Sequence, residues 1–170
     1  MSNVFSRIVR SWGTEPTFNL AGHLWVVCMF GVLAVLEANK IGLYLVPPFG
    51  ATLSILLLLP EAAIAQPYAL IVGSVASASV GSLIGMFDRG LGMAVFAAIV
   101  AFGVMSLIHA FHPPGIALAL YPILLHTGHW FPLVIVLPFT VLAVGSAAVL
   151  SKLIDKWPAY PKPLGNDPPH

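Results

Sequence analysis

Residues 109–120 read HAFHPPGIALAL, and two histidines and two prolines interrupt an otherwise apolar run there. Proline has no N–H and fixes its own backbone, and the residue before it is pushed away from helix. Pro113 and Pro114 therefore stop one helix near Ala110 and start another at about Pro114 or Gly115. The last carbonyls of the first helix and the first N–H groups of the second then have no helical partner. In water such a break is ordinary. Here it lies inside Gly90–Ser151, a stretch without a single Asp, Glu, Lys or Arg.

That stretch is typical of the chain, which is 59% hydrophobic and 8% charged, against about 25% charged residues in a soluble domain. Pro16–Leu36, Ile41–Pro60 and Ala62–Phe87 also lack charge. One crossing takes about 20 apolar residues, so Gly90–Ser151 holds more than one. In lipid the backbone must satisfy itself, as a helix or a closed barrel. The alternation of a barrel strand is missing. The expected fold is an all-α polytopic membrane protein with the lipid bilayer as its solvent. A net charge of +1 gives no reason to expect nucleic acid. The single Cys28 cannot form an intrachain disulfide and reads as a small buried hydrophobe.

Four long transmembrane helices are predicted, at about Leu20–Asn39, Pro67–Phe87, Leu91–Ala110 and Pro132–Ile154. Pro67 and Pro132 suit a first helical turn. Two short half-helices accompany them, Val46–Pro60 and His112–Leu125, each a Pro-Pro break followed by roughly ten helical residues, about 15 Å. Residues 1–19, with Arg7, Arg10 and Trp12, read as a cytoplasmic amphipathic lead-in. Residues 155–170 read as a Pro-rich cytoplasmic tail with little fixed structure.

Shifted by 65 residues, Pro48 falls on Pro113, Gly50 on Gly115, Leu53 on Leu118, Leu59 on Leu124 and Pro67 on Pro132. The transmembrane domain, 20–154, thus divides into repeats of about 20–87 and 88–154 with a pseudo-twofold relation. Paired Pro/Gly interruptions at matching places point to a transport site. If the short pieces dip and return there are four crossings, which positive-inside charge counting favours. If they cross there are six, and the repeats are inverted. Both termini are cytoplasmic either way.

On the second long helix, Ala69, Gly73, Ser77, Gly81 and Gly85 recur every four residues. Such a face lets helix backbones approach closely in a membrane. The other reading is a pore-lining small-polar face with Ser74 and Ser82 beside it.

No catalytic set is visible, so no enzyme is expected. The acidic residues Glu15, Glu37, Glu61, Asp88, Asp155 and Asp167 stand singly. The break offers different chemistry, because free N–H groups at a helix start attract anions. His112, Gly115 and His109 are candidate substrate-binding residues on that ground, with Gly50, Thr52 and Ser54 at the first break. The substrate would be a small inorganic anion, with no cofactor and no resident metal. The pairs His109/His112 and His126/His129 leave a divalent metal or proton pathway open as an alternative. A non-transporting membrane scaffold is a third reading. HTGHWFP (126–132) reads equally well as an interfacial loop anchored by Trp130. Glu37 and Lys40 read as an interfacial ion pair or as an anion lure. A path through so short a chain calls for a homo-oligomer.

The tripeptide His112–Pro114 and the block PFGATLSILLLLPEAAIAQP (Pro48–Pro67) resemble the HPP family of integral membrane proteins over about Pro47–Ile154. The resemblance implies a four-spanning membrane protein and, for plastid and cyanobacterial members, nitrite transport. It makes a bacterial inner membrane the expected location. Two departures stand out. Tyr68 occupies the place where the family often has arginine after ala-gln-pro. GIALAL (Gly115–Leu120) replaces a common gly-gly-ala-thr-ala-leu run.

Overall fold

The computed structural model describes residues 20–38, 46–155 and 157–162. The lead-in 1–19, Lys40 with its neighbours and the tail from 163 lie outside the described residues, as does the side chain of Glu37. No strand occurs among the described residues. Six α-helices follow one another: α1 (Leu20–Ala38), α2 (Val46–Leu58), α3 (Pro67–Ile84), α4 (Leu91–Leu107), α5 (Pro114–Leu124) and α6 (Leu137–Leu153). A 3-10 turn at Ala63–Ala65 precedes α3, and a wide π turn at Pro132–Val136 runs straight into α6. Pro138 follows that turn and has no N–H for the Val134 carbonyl. The buried Thr140 hydroxyl reaches back instead to the Val136 and Leu137 carbonyls, at 2.8 and 3.0 Å.

Two helices have the length and composition of a crossing, α3 over Pro67–Ile84 and the continuous Pro132–Leu153. The apolar part of α4, Leu91–Leu107, is shorter than the four-long-helix expectation required, while α1 covers Leu20–Ala38 among the described residues. The shortening of α4 has a local cause. It ends before the prolines, because His109 adopts a left-handed φ of 53°. The Ala110 N–H then turns back to the Met105 carbonyl at 3.0 Å and the His109 N–H to Ser106 at 3.3 Å. This is a Schellman ending, with histidine where glycine is usual. His126, at φ 57°, stands just past α5 in the same conformation.

Printed contacts fix the direction of each helix. Gly22 lies against Leu57 and Gly50 against Phe30, so α1 and α2 are antiparallel. The Tyr68 hydroxyl at the start of α3 donates to the Ile108 carbonyl past the end of α4, at 3.0 Å, so these two are antiparallel. Gly115 sits on Ser77, Gly81 on Ala119 and Gly85 on Ile123, so α5 runs parallel to α3. The helix ending in Leu153 returns the chain to the start of α3, where Tyr160 donates to the Ala65 carbonyl at 2.8 Å. Successive helices therefore alternate in direction, and α5 does not dip and return. Ser77 is about ten residues along α3, roughly 15 Å from its start, so α5 begins inside the bundle and ends at the opposite, Arg89 end. This differs from the four-crossing layout that charge counting favoured. Arg89 caps its own end by donating from Nε to the Gly85 carbonyl at 3.0 Å.

Gly73 and Gly81 of α3 sit in close helix contacts. α3 packs most extensively on α5. A Cβ on Gly73 would strike the Ala110 carbonyl oxygen, and one on Gly81 the Ala119 carbonyl oxygen. Around this pair a larger core gathers Trp25, Met29 and Leu33 of α1, Phe49 and Leu53 of α2, and Phe139 and Ala143 of α6. Phe49 and Phe139 stack with ring centres 3.8 Å apart. Cys28, expected inside, lies exposed on α1 instead, because the stripe at Trp25, Met29 and Leu33 turns the other face inward.

The tail is not wholly loose. Trp157 and Tyr160 are buried. Ser151 donates to the Tyr160 carbonyl at 2.7 Å, and the Lys162 N–H to Gln66 Oε1 at 3.0 Å. Two large aromatic side chains supply the burial that a Pro-rich composition alone does not suggest.

Gly81→Ala should lower thermal stability in detergent by an overpacking cost of about 1–3 kcal/mol. Gly103→Ala, where an added Cβ meets nothing within 4 Å, should leave stability unchanged or raised, since alanine favours helix over glycine by up to about 1 kcal/mol. Melting curves of the two variants, read by intrinsic fluorescence, check the contrast.

Candidate functional site

His112 lies between Ala110, which is packed on Gly73, and Pro114, the first residue of α5. Its side chain is wholly buried. Nδ1 is 2.8 Å from the Ile64 carbonyl oxygen. A carbonyl only accepts, so Nδ1 carries the proton. In the neutral ring Nε2 is then the acceptor, and the Thr52 hydroxyl, 2.9 Å away, donates to it. Thr52 is buried as well. One imidazole thus ties three chain segments: the middle of α2, the 3-10 turn before α3, and the break before α5.

The local sequence explains how each partner is placed. In PFGAT, Phe49 stacks on Phe139, Gly50 passes beneath the Phe30 ring, and Thr52 comes one turn further on, facing His112. In PEAAIAQP, Gln66 Nε2 donates to the Pro60 and Ala62 carbonyls at 2.9 and 3.1 Å. That closes the turn and leaves the Ile64 and Ala65 carbonyls for His112 and Tyr160. Burial of Tyr160 pushes its phenol above the usual range, so the hydroxyl stays a donor. Tyr68 caps the end of α4 through Ile108.

The expected site residues separate into two groups. Thr52, His112 and Gly115 come together, with Gly115 against Ser77 Oγ, Met105 Sδ and the Gly73 carbonyl. Ser54 is exposed and donates to its own helix at Gly50. Gly50 faces α1. His109 is exposed and serves the ending of α4. The free N–H groups expected at the second break are already used. Gly115 N–H donates to the His112 carbonyl at 2.8 Å and Ile116 N–H to Pro113 at 3.1 Å. Neither His pair forms a metal centre: His109 is exposed while His112 is buried and bonded through both ring nitrogens, and His126 and His129 are both exposed. Among the described residues no group of three His, Cys, Asp or Glu side chains converges. Sequence reasoning missed Ile64, Gln66 and Tyr160. Backbone carbonyls leave no sequence signal, and only the place of Gln66 in the ala-gln-pro block offered one.

A family model described as HPP, transmembrane region, matches residues 14–161. The chain belongs to the HPP family. It is therefore an integral membrane protein, and the tripeptide that names the family is the segment that places His112 between the two half-helices. No curated protein matches the chain, and no solved structure does. The HPP break works here mainly through its histidine ring and its local turn, in place of an open helix start. Two blocks earlier in the chain, PFGAT and PEAAIAQP, supply the two partners of that ring.

The tautomer is checkable. In bilayers, 15N NMR of ring-labelled His112 should show a protonated Nδ1 and an unprotonated Nε2. The opposite tautomer would mean that the Ile64 contact does not form.

Proposed function

We propose that this HPP protein is a channel or transporter for a small monovalent anion, with nitrite the leading substrate, and is not an enzyme. One observation carries the reading, the make-up of the buried polar set. Among the described residues it consists of Thr52, Ser74, Ser77, Ser82, His112, Thr127 and Thr140. All are neutral hydroxyls except one imidazole. The described acidic side chains Glu61, Asp88 and Asp155 are exposed. A cation path through lipid needs carboxylates or converging carbonyls, whereas hydroxyl donors suit an anion. Nitrite itself comes from the family resemblance.

The half-helices add support. α2 and α5 meet at the Thr52–His112 bond and run to opposite ends of the bundle, the kind of arrangement that inverted-repeat transporters use. The 65-residue repeat is part of this proposal for its matched breaks, although the matched glycines take different contacts: Gly50 faces Phe30, while Gly115 faces Ser77 and Met105. In the proposed orientation both termini are cytoplasmic and the membrane is a bacterial inner membrane. In support, Trp25 early in α1 meets Trp157 beyond α6, with ring centres 5.7 Å apart. A homo-oligomer is proposed through outward glycines such as Gly31 and Gly145, beside which a Cβ would meet nothing.

Purified protein in proteoliposomes should pass nitrite faster than chloride. His112→Ala strands the Thr52 hydroxyl and the Ile64 carbonyl at the junction of the half-helices, and should cut that flux about tenfold or more, the scale of a buried polar group left unpaired. If a folded, monodisperse protein passes none of nitrite, nitrate, formate or chloride, the transport reading fails.

A further inference from the structure

Serine and threonine inside a helix usually return their hydroxyl proton to a carbonyl three or four residues back. Five helical hydroxyls of this chain do so, while Thr52 is committed to His112. Ser54 donates to Gly50, Ser79 to Val75, Ser106 to Phe102, Ser146 to Ala143 and Thr140 to Val136, all between 2.8 and 3.1 Å. Ser74 and Ser77 of α3 do not. Both are fully buried, and neither hydroxyl has a protein partner. Thr127, past the far end of α5, is a third buried hydroxyl without one. Ser82 leaves its own helix too and makes only a long contact, 3.5 Å, with the Gly128 carbonyl.

These four follow one another in depth, from the level of His112 to the Arg89 end of the bundle. Ser74 follows Gly73, which touches His112 Cβ. Ser77 Oγ points at Gly115 in the first turn of α5. Ser82 and Thr127 lie at the Arg89 end. An unpaired hydroxyl in a dry interior is destabilising, and here three remain where back-bonding was open to two of them. Packing alone would be served better by alanine, which stands at Ala69 and Ala78 of the same helix.

We propose that Ser74, Ser77, Ser82 and Thr127 form the polar track along which a small hydrated oxyanion passes between the Thr52–His112 junction and the Arg89 end. The hydroxyls donate in sequence to the ion or to its waters. Gly115 keeps the track open beside Ser77, because any Cβ there would sit 3.0 Å from the Ser77 oxygen and 3.1 Å from Met105 Sδ. The substrate class rests on the transport reading; the track as a route for water and small polar solutes does not.

Substituted-cysteine labelling separates the two. In a Cys28→Ser background, Ser77→Cys and Ser74→Cys are exposed in proteoliposomes to an anionic methanethiosulfonate, which reacts with thiolate and so only where water reaches. Ala97→Cys, at an equally buried apolar position, is the control. The expected result is labelling at one or both serine positions about tenfold faster than at Ala97, slowed by added nitrite. In folded protein, labelling of both serine positions no faster than Ala97 overturns the track. Fast labelling in a protein that passes no anion keeps the track and overturns the transport reading. Should the cysteine variants fail to fold, the Ser74→Ala/Ser77→Ala variant decides: about a tenfold loss of nitrite flux supports the track, and unchanged flux overturns it.

Discussion

An imidazole without exposure, in a bundle whose described acidic groups all face outward, must have both ring nitrogens satisfied by neutral partners. His112 meets that requirement with one hydroxyl and one carbonyl, and much of the fold follows from where they sit. Ile64 must present its carbonyl, so Gln66 folds the turn before α3 around its own amide. Thr52 must face inward, so the α2 break is held by the Phe49–Phe139 stack. The chain must bring His112 against α3, so Gly73 gives up its side chain to the Ala110 carbonyl. Removing the ring would leave a hydroxyl and a carbonyl unpaired in the interior, where each is expensive.

The two proline pairs therefore differ from a simple kink, and also from an open anion-binding helix start. The HPPG turn closes on itself through His112 and Pro113 carbonyls. What it delivers is a side chain at a fixed depth and a half-helix aimed at the far end. In the proposed track the donors for a solute are hydroxyls on α3, a use for the serines that stand among glycine and alanine on that helix. Close packing and a polar track are compatible on one helix, because glycines take the contact with α5 while serines occupy the positions beside it.

The helical class, the two Pro-Pro breaks, the packing face at Gly73, Gly81 and Gly85, and the family were all legible in the sequence. Lipid solvent forces helices, and small residues at four-residue spacing have few other uses. Helix ends were less legible. α4 stops at His109 by a left-handed residue that carries no proline-like signal, which is why Leu91–Ala110 was too long. Direction was hidden as well, since charge counting weighs Arg89 without knowing which way α5 leaves the break. Ser54 and His109 share the composition of a site but point outward. The docked segment Trp157–Lys162 was obscured by its prolines, although Trp157 and Tyr160 are the aromatic anchors that hold it.

The central claim is that Thr52 and His112 act as one unit joining the two half-helices. A double-mutant cycle on thermal stability, with Thr52→Val, His112→Leu and the pair, tests it most directly. The account predicts that the double variant is less destabilised than the sum of the single ones, by about 1 kcal/mol or more, because each single change strands a buried polar partner. Additive effects, within about 0.3–0.5 kcal/mol, would contradict it.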